Sequence, residues 1–171
     1  MSTPLYDLTV PVFVRALRNL SALLDKGASY TAGQGKPAES LMEARIYGDM
    51  HPLAYQVQRV SDSTKGCIAR LSGQAPPAMV DDEASFAELQ ARIAATIAYI
   101  ESVPREAIDG KEAATVELKT PSTTIEFTGI SYVLDFAIPN IFFHVSIAYA
   151  LLRQQGVPVG KLDYLGGSRD G

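Results

Sequence analysis

Residues 129–155 read GISYVLDFAIPNIFFHVSIAYALLRQQ. Placed at ~100° per residue, Ile130, Leu134, Ala137, Ile141, Val145, Ala148 and Leu152 form one apolar stripe of a long helix. Tyr132, Phe136, Phe143 and Ile147 form a second apolar surface beside it, and few positions (Ser131, Asp135, Ser146, Arg153) remain for water. A helix apolar over most of its circumference must be covered on two sides, and one helical core covers only one. The surface of Tyr132, Phe136, Phe143 and Ile147 is therefore read as a homodimer interface, with cover by other parts of the chain as the alternative. Gly156 and Pro158 stop the helix. Pro139 removes the bond to the Asp135 carbonyl and predicts a kink.

Three further helical patterns supply partners for this segment. Val10, Phe13, Leu17, Leu20 and Leu24 recur at three- and four-residue steps, with Pro11 in the first turn, until Gly27, Gly33 and Gly35 dissolve the pattern. Pro37 to Tyr47 reads as a short helical excursion. A second long helix opens at Asp49 as N-cap, carries Leu53, Val57, Val60, Thr64, Cys67 and Leu71 on one face, and ends at Gly73. A third starts at Ser85, where Ser85 and Glu88 make a capping box, and buries Phe86, Leu89, Ile93, Ile97 and Ile100 before Pro104. Between the third and fourth helices the period changes. Val116, Leu118, Ile125 and Phe127 alternate with polar residues around Pro121 and Ser122, which predicts a two-stranded hairpin with one apolar face. The pattern gives an all-α chain, an antiparallel four-helix bundle with a small β-hairpin, as one domain over residues 1–171.

Composition narrows the function classes. The 171 residues are 47% hydrophobic and 20% charged, which is enough to close a core without staples. A net charge of −4 argues against a nucleic-acid partner and against a polybasic membrane surface. The apolar run from Tyr132 to Leu152 is broken by Asp135, Pro139, Asn140 and His144, so a soluble helix is expected rather than a membrane span. Cys67 is alone, no secretory leader is evident, and a cytoplasmic protein is expected. No phosphate loop, dinucleotide fingerprint, nucleophile elbow or zinc-type cysteine spacing occurs.

The polar residues on helical faces are the candidates for chemistry. His144 falls on the core stripe of the fourth helix, and Asn140 lies one turn earlier. On the second helix Gln56, Arg59, Ser63 and Arg70 run along one flank of the stripe. Gln56 stands closest to the core and could reach into the same cavity as His144, the alternative being a solvated flank with Gln56 at its boundary. A lone imidazole beside an amide is a poor site for a tightly held metal, so no cofactor is expected. If a divalent ion (Zn, Ni or Mn) is bound, His144 and His51 are its expected ligands. His51 and Asp62 project away from the stripe and read as surface residues, Cys67 as core, and Asp81, Asp82 and Glu83 as acids favouring the start of the third helix.

Four segments carry a family resemblance: Leu-Tyr-Asp-Leu-Thr-Val-Pro-Val-Phe from Leu5, Asp-Met-His-Pro-Leu-Ala-Tyr-Gln-Val-Gln from Asp49, Ile-Pro-Asn-Ile-Phe-Phe-His-Val from Ile138, and Gly-Lys-Leu-Asp-Tyr-Leu-Gly from Gly160. Together they resemble a bacterial family catalogued as a domain of unknown function and grouped with the DinB-like (YfiT-like) metalloenzymes. The resemblance implies a DinB-like bundle, often dimeric. In the wider superfamily one histidine on the second helix and two spaced four apart on the fourth hold a divalent metal, which some members use in thiol S-transfer. His144 looks like one of the fourth-helix positions and Asn140 like the other. Gln56 or Arg59 is nearest to the second-helix position, so one imidazole of the triad remains. Two readings follow: a bundle that binds a small molecule near His144, Asn140, Gln56 and Arg59, or a metal-dependent enzyme of the thiol S-transferase or hydrolase-like type.

Overall fold

A computed structural model describes residues 3–167; residues 1–2 and 168–171, included in the expected domain, lie outside the described residues. The chain is mostly helical, in the order α1 (Leu5–Gly33), α2 (Leu53–Ser72), α3 (Phe86–Ser102), a hairpin of β1 (Thr115–Lys119) and β2 (Thr124–Thr128), α4 (Gly129–Gln154) and a short α5 (Lys161–Leu165). Single 3₁₀ turns at Ala38–Leu41 and Arg105–Ala107 lie in the connections. Helix α2 packs against α3 and α4, and α1 against the same two, so four long helices share one core.

The predicted stripes of α1, α2 and α3 point inward. Phe13, Leu17, Leu20, Leu24, Leu53, Val57, Val60, Cys67, Leu89, Ile93 and Ile100 are all buried, and Ile97 is half-buried. Two helix boundaries differ from expectation. Helix α1 runs through Gly27 to Gly33, because Gly27 is a packing position: a Cβ there would stand 3.1 Å from Leu152 and 3.3 Å from Leu41. Helix α2 starts at Leu53 behind Pro52, and Asp49 is no cap. The carbonyls of Ala44 and Met42 accept from the Leu53 and Ala54 N–H groups, so the preceding loop does the capping.

Helix α4 departs most from simple periodicity. Thr128 and Ser131 cap its start by reciprocal bonds (Ser131 N–H to Thr128 Oγ1 3.3 Å, Thr128 N–H to Ser131 Oγ 3.0 Å). Tyr132–Ala137 then forms a π-helical turn, and the Ile138 N–H reaches back to the Val133 carbonyl. Pro139 has no N–H for the Asp135 carbonyl, and the widened turn absorbs that missing bond. The extra residue shifts the phase of everything before it by one position. Gly129 and Val133 are buried where Ile130 and Leu134 were expected, and Leu134 is 47% exposed. Beyond the turn, Ile141, Val145, Ala148 and Leu152 keep their predicted core positions.

The same shift corrects the second apolar surface. Tyr132 is 1% exposed and packs with Phe136 against Phe127 of the hairpin, at ring separations of 5.7 Å and 6.0 Å from Phe127. The hairpin therefore covers the first half of that surface, as its register (Val116 opposite Phe127, Leu118 opposite Ile125) places its apolar face on the helix. Phe143 stays 55% exposed. By length and composition Gly129–Gln154 is apolar enough to cross a membrane, and only 28% of its most apolar window is buried, less than the sequence reading implied.

Candidate functional site

The seam between α2 and α4 brings Gln56, Ser63, Asn140 and His144 together. The amide of Gln56, 3% exposed, is held at both ends: its Nε2 donates to the His51 carbonyl at 3.0 Å and its Oε1 lies 2.8 Å from His144 Nδ1. A reversed amide would set carbonyl oxygen against carbonyl oxygen, so Oε1 faces the ring and Nδ1 must carry the proton. The neutral ring is then the Nδ1–H tautomer, with the lone pair on Nε2. One turn earlier Asn140 Nδ2 donates to Ser63 Oγ at 2.8 Å. His144 is half-buried, at the edge of the seam rather than deep in the core. Its ring packs edge-on to Phe143 and Tyr55.

Electrostatics keep this imidazole neutral. Burial pushes the His144 pKa below its ordinary value of 6.5, and the nearby Arg59 charge and His51 push the same way. Arg59 lies over the Tyr55 ring, 4.9 Å from its centroid, while His51 stacks on Tyr55 at 3.8 Å. His51 precedes α2, is exposed, and contributes to the seam through its backbone carbonyl.

Behind Arg59 lies an ionic network that spacing did not reveal. Asp62, expected to face water, accepts from Arg59 at 2.8 Å, Lys65 at 3.1 Å and Arg92 at 2.8 Å. Arg92 is 4% exposed, and besides Asp62 it binds Glu83 at 2.7 Å, Asp81 at 2.9 Å and the Val80 carbonyl at 3.0 Å. Arg59 also pairs with Asp81. Asp81 and Glu83 thus serve α2 and α3 together rather than the start of α3 alone. A signal was present: Arg92 and Thr96 fall among Leu89, Ile93 and Ile100 on the core face of α3.

Beside the seam, under the hairpin, is a cavity of about 170 Å³ lined by Arg59, Asp62, Ser63, Arg70, Tyr132 and Asn140, with Leu118, Phe136 and Ala137 as its apolar wall. Neither Gln56 nor His144 lines it. Wider grooves of about 480 Å³ along α1 and 310 Å³ along α3 hold none of the candidate residues. Burial pushes the Tyr132 hydroxyl up to about 12 and the Cys67 thiol up to about 12, so both stay protonated and Cys67 is inert.

The family model for DUF1993, a domain of unknown function, matches residues 5–165. The chain belongs to the DUF1993 family. The fold is similar to that of a crystal structure of a DinB family member protein from Shewanella denitrificans at 1.83 Å resolution, with a TM-score of 0.88 and 37% sequence identity over 98% of this chain and 94% of that one. No curated protein matches. The metal triad implied by DinB-like resemblance does not fit the donors of this DUF1993 chain. A neutral amide oxygen such as that of Asn140 is a weak metal ligand, Gln56 spends its amide on His51 and His144, and His144 Nε2 is the imidazole nitrogen left uncommitted in the seam. The Arg59 guanidinium beside it opposes a second positive charge. Among the described residues no group of three His, Cys, Asp or Glu side chains is arranged to hold a metal.

Proposed function

We propose that this DUF1993 chain is a small-molecule-binding protein, an antiparallel four-helix bundle that receives its ligand along the α2–α4 seam without a resident metal. The observation that carries this reading is the 2.8 Å contact between Gln56 and His144. It fixes the tautomer and leaves the Nε2 lone pair at the half-buried edge of the seam, where a ligand N–H or O–H can bond to it. Asn140 and Arg59 are the neighbouring recognition groups.

The same reading includes a homodimer through α4. Phe143 at 55% exposure and the half-buried Ile147 stand one turn apart on a helix whose other stripe is locked in the core. A second copy laid there would also shield the His144 ring, which touches Phe143.

The test uses protein purified without a histidine tag. Metal analysis is expected to find no stoichiometric divalent ion, and a fragment screen by NMR to find molecules that shift the His144 ring and the Asn140 side-chain amide together. One bound metal per chain, lost in His144→Ala, would overturn the reading in favour of a metal-dependent enzyme. A screen with no response at His144 would overturn the seam as the ligand site.

A further inference from the structure

We propose that the cavity under the hairpin binds a small monocarboxylate, with Arg70 and the Tyr132 hydroxyl holding the carboxylate and Phe136 and Leu118 covering a short hydrocarbon tail. This deepens the ligand reading of the α2–α4 seam and rests on it.

The cavity is rich in uncommitted donors. Arg70 Nη1 donates to Tyr132 Oη at 3.1 Å, which leaves the tyrosine proton free to donate onward. Ser63 Oγ likewise accepts from Asn140 and keeps its own proton to give. Arg59 lines the same cavity and adds a second guanidinium to its wall. Such groups are costly to leave unmatched, and a bound acceptor would satisfy them.

Charge points the same way. Among the described residues no carboxylate pairs with Arg70, whereas the one acid lining the cavity, Asp62, is shared by Arg59, Lys65 and Arg92. The guanidinium is also held in place from below. A Cβ on Gly66, one turn before Arg70, would stand 2.6 Å from Arg70 Nη1, so the bare glycine lets the side chain lie back toward Tyr132. A planar carboxylate matches the donor fork of an arginine. Asp62 disfavours a dianion such as phosphate. At about 30 Å³ per water-sized group, 170 Å³ holds about five or six non-hydrogen atoms, the size of a four-carbon acid.

The experiment is an NMR titration with butyrate, butyramide and inorganic phosphate. Butyrate is expected to shift the Arg70 Nε–H and the Asn140 side-chain amide saturably, with butyramide and phosphate at least about tenfold weaker. Arg70→Gln, at an exposed position, should weaken butyrate about tenfold with unchanged thermal unfolding, and Gly66→Ala should weaken it by displacing the guanidinium. Equal binding of butyramide, tighter binding of phosphate, or full affinity in Arg70→Gln would overturn the carboxylate site. Neutral fragments that move His144 while butyrate moves neither Arg70 nor Asn140 would also overturn it, yet leave the seam reading standing.

Discussion

Replacing Gln56 with leucine separates the tautomer of His144 from its position. Leucine approximates the volume of glutamine but can neither donate to the His51 carbonyl nor accept from Nδ1, so both bonds, at 3.0 Å and 2.8 Å, are lost. Each is worth about 0.5–1.5 kcal/mol net. Water can reach the carbonyl of exposed His51, and the His144 ring is only half-buried, so neither group bears the full penalty of dry burial. The expected loss is about 1–2 kcal/mol by urea unfolding, which the added apolar contact partly offsets. The larger effect is on the ring. Long-range ¹H–¹⁵N spectra of the native protein should show Nδ1 protonated and Nε2 bare. In Gln56→Leu the proton should redistribute toward Nε2, and the pKa should fall further because the acceptor that favoured the charged form is gone. A native spectrum with the proton on Nε2, or a variant with an unchanged tautomer, would refute the reasoning.

Three further outcomes are expected. Arg92→Met should cost about 3–5 kcal/mol in chemical denaturation, because it strands Glu83 without its buried counter-charge, while Asp62 keeps Arg59 and Lys65; a cost within surface-mutation range would show the network is solvated. Stability should fall with acid in two steps, followed by unfolding at graded pH. His144, with its folded pKa depressed, contributes stability that is full above its unfolded value near 6.5 and lost as the pH falls from there through the folded value; Gln56→Leu should deepen this first step. Glu83 is depressed too: burial works against this, but its bonds from Arg92 and Gln58 prevail, so its share is present above about 4.5 and lost as the pH falls through its lower folded value. Phe143→Glu should convert the proposed dimer to a folded monomer by light scattering; native protein that is monomeric at micromolar concentration would remove the dimer.

The packing faces of the helices were legible because each stripe is a local property: Phe13, Leu17 and Leu24 face inward for the same reason that they recur every three or four residues. The Gln56–His144 contact was one of two alternatives open to the sequence, since Gln56 borders its stripe and His144 lies on the facing one; the structure makes the bond at 2.8 Å. What failed was local geometry that depends on distant atoms. Pro139 announced a disturbance, but whether the chain kinks or inserts a π turn depends on what Tyr132 and Val133 can fill, and that choice rotated Leu134 out of the core. Gly27 looked like a stop and is a close-packing site, because Leu152 and Leu41 approach from elsewhere in the chain. Asp62 looked exposed because its partner Arg92 lies 30 residues away on another helix. The core-face position of Arg92 signals that it needs partners, but periodicity does not say which acids supply them.

In the proposed metal-free reading, the ionic network takes over part of what a metal would supply at the seam. In a metal site the ion supplies a fixed positive charge beside the imidazole and keeps the ring unprotonated by occupying its lone pair. Here Arg59 supplies the charge, and Asp62 and Asp81 hold that guanidinium over Tyr55. Asp62 is in turn fixed by Arg92 from α3, so the position of the cation near His144 is set by a helix that does not touch the ring. The lone pair is left open rather than ligated. With its pKa held below 6.5, the neutral His144 ring offers Nε2 as an acceptor, and a ligand suited to it brings its own hydrogen there. A molecule with a carboxylate for Arg70 and a donor for His144 would meet both ends of the seam, whereas a purely anionic one would leave the imidazole unpaired.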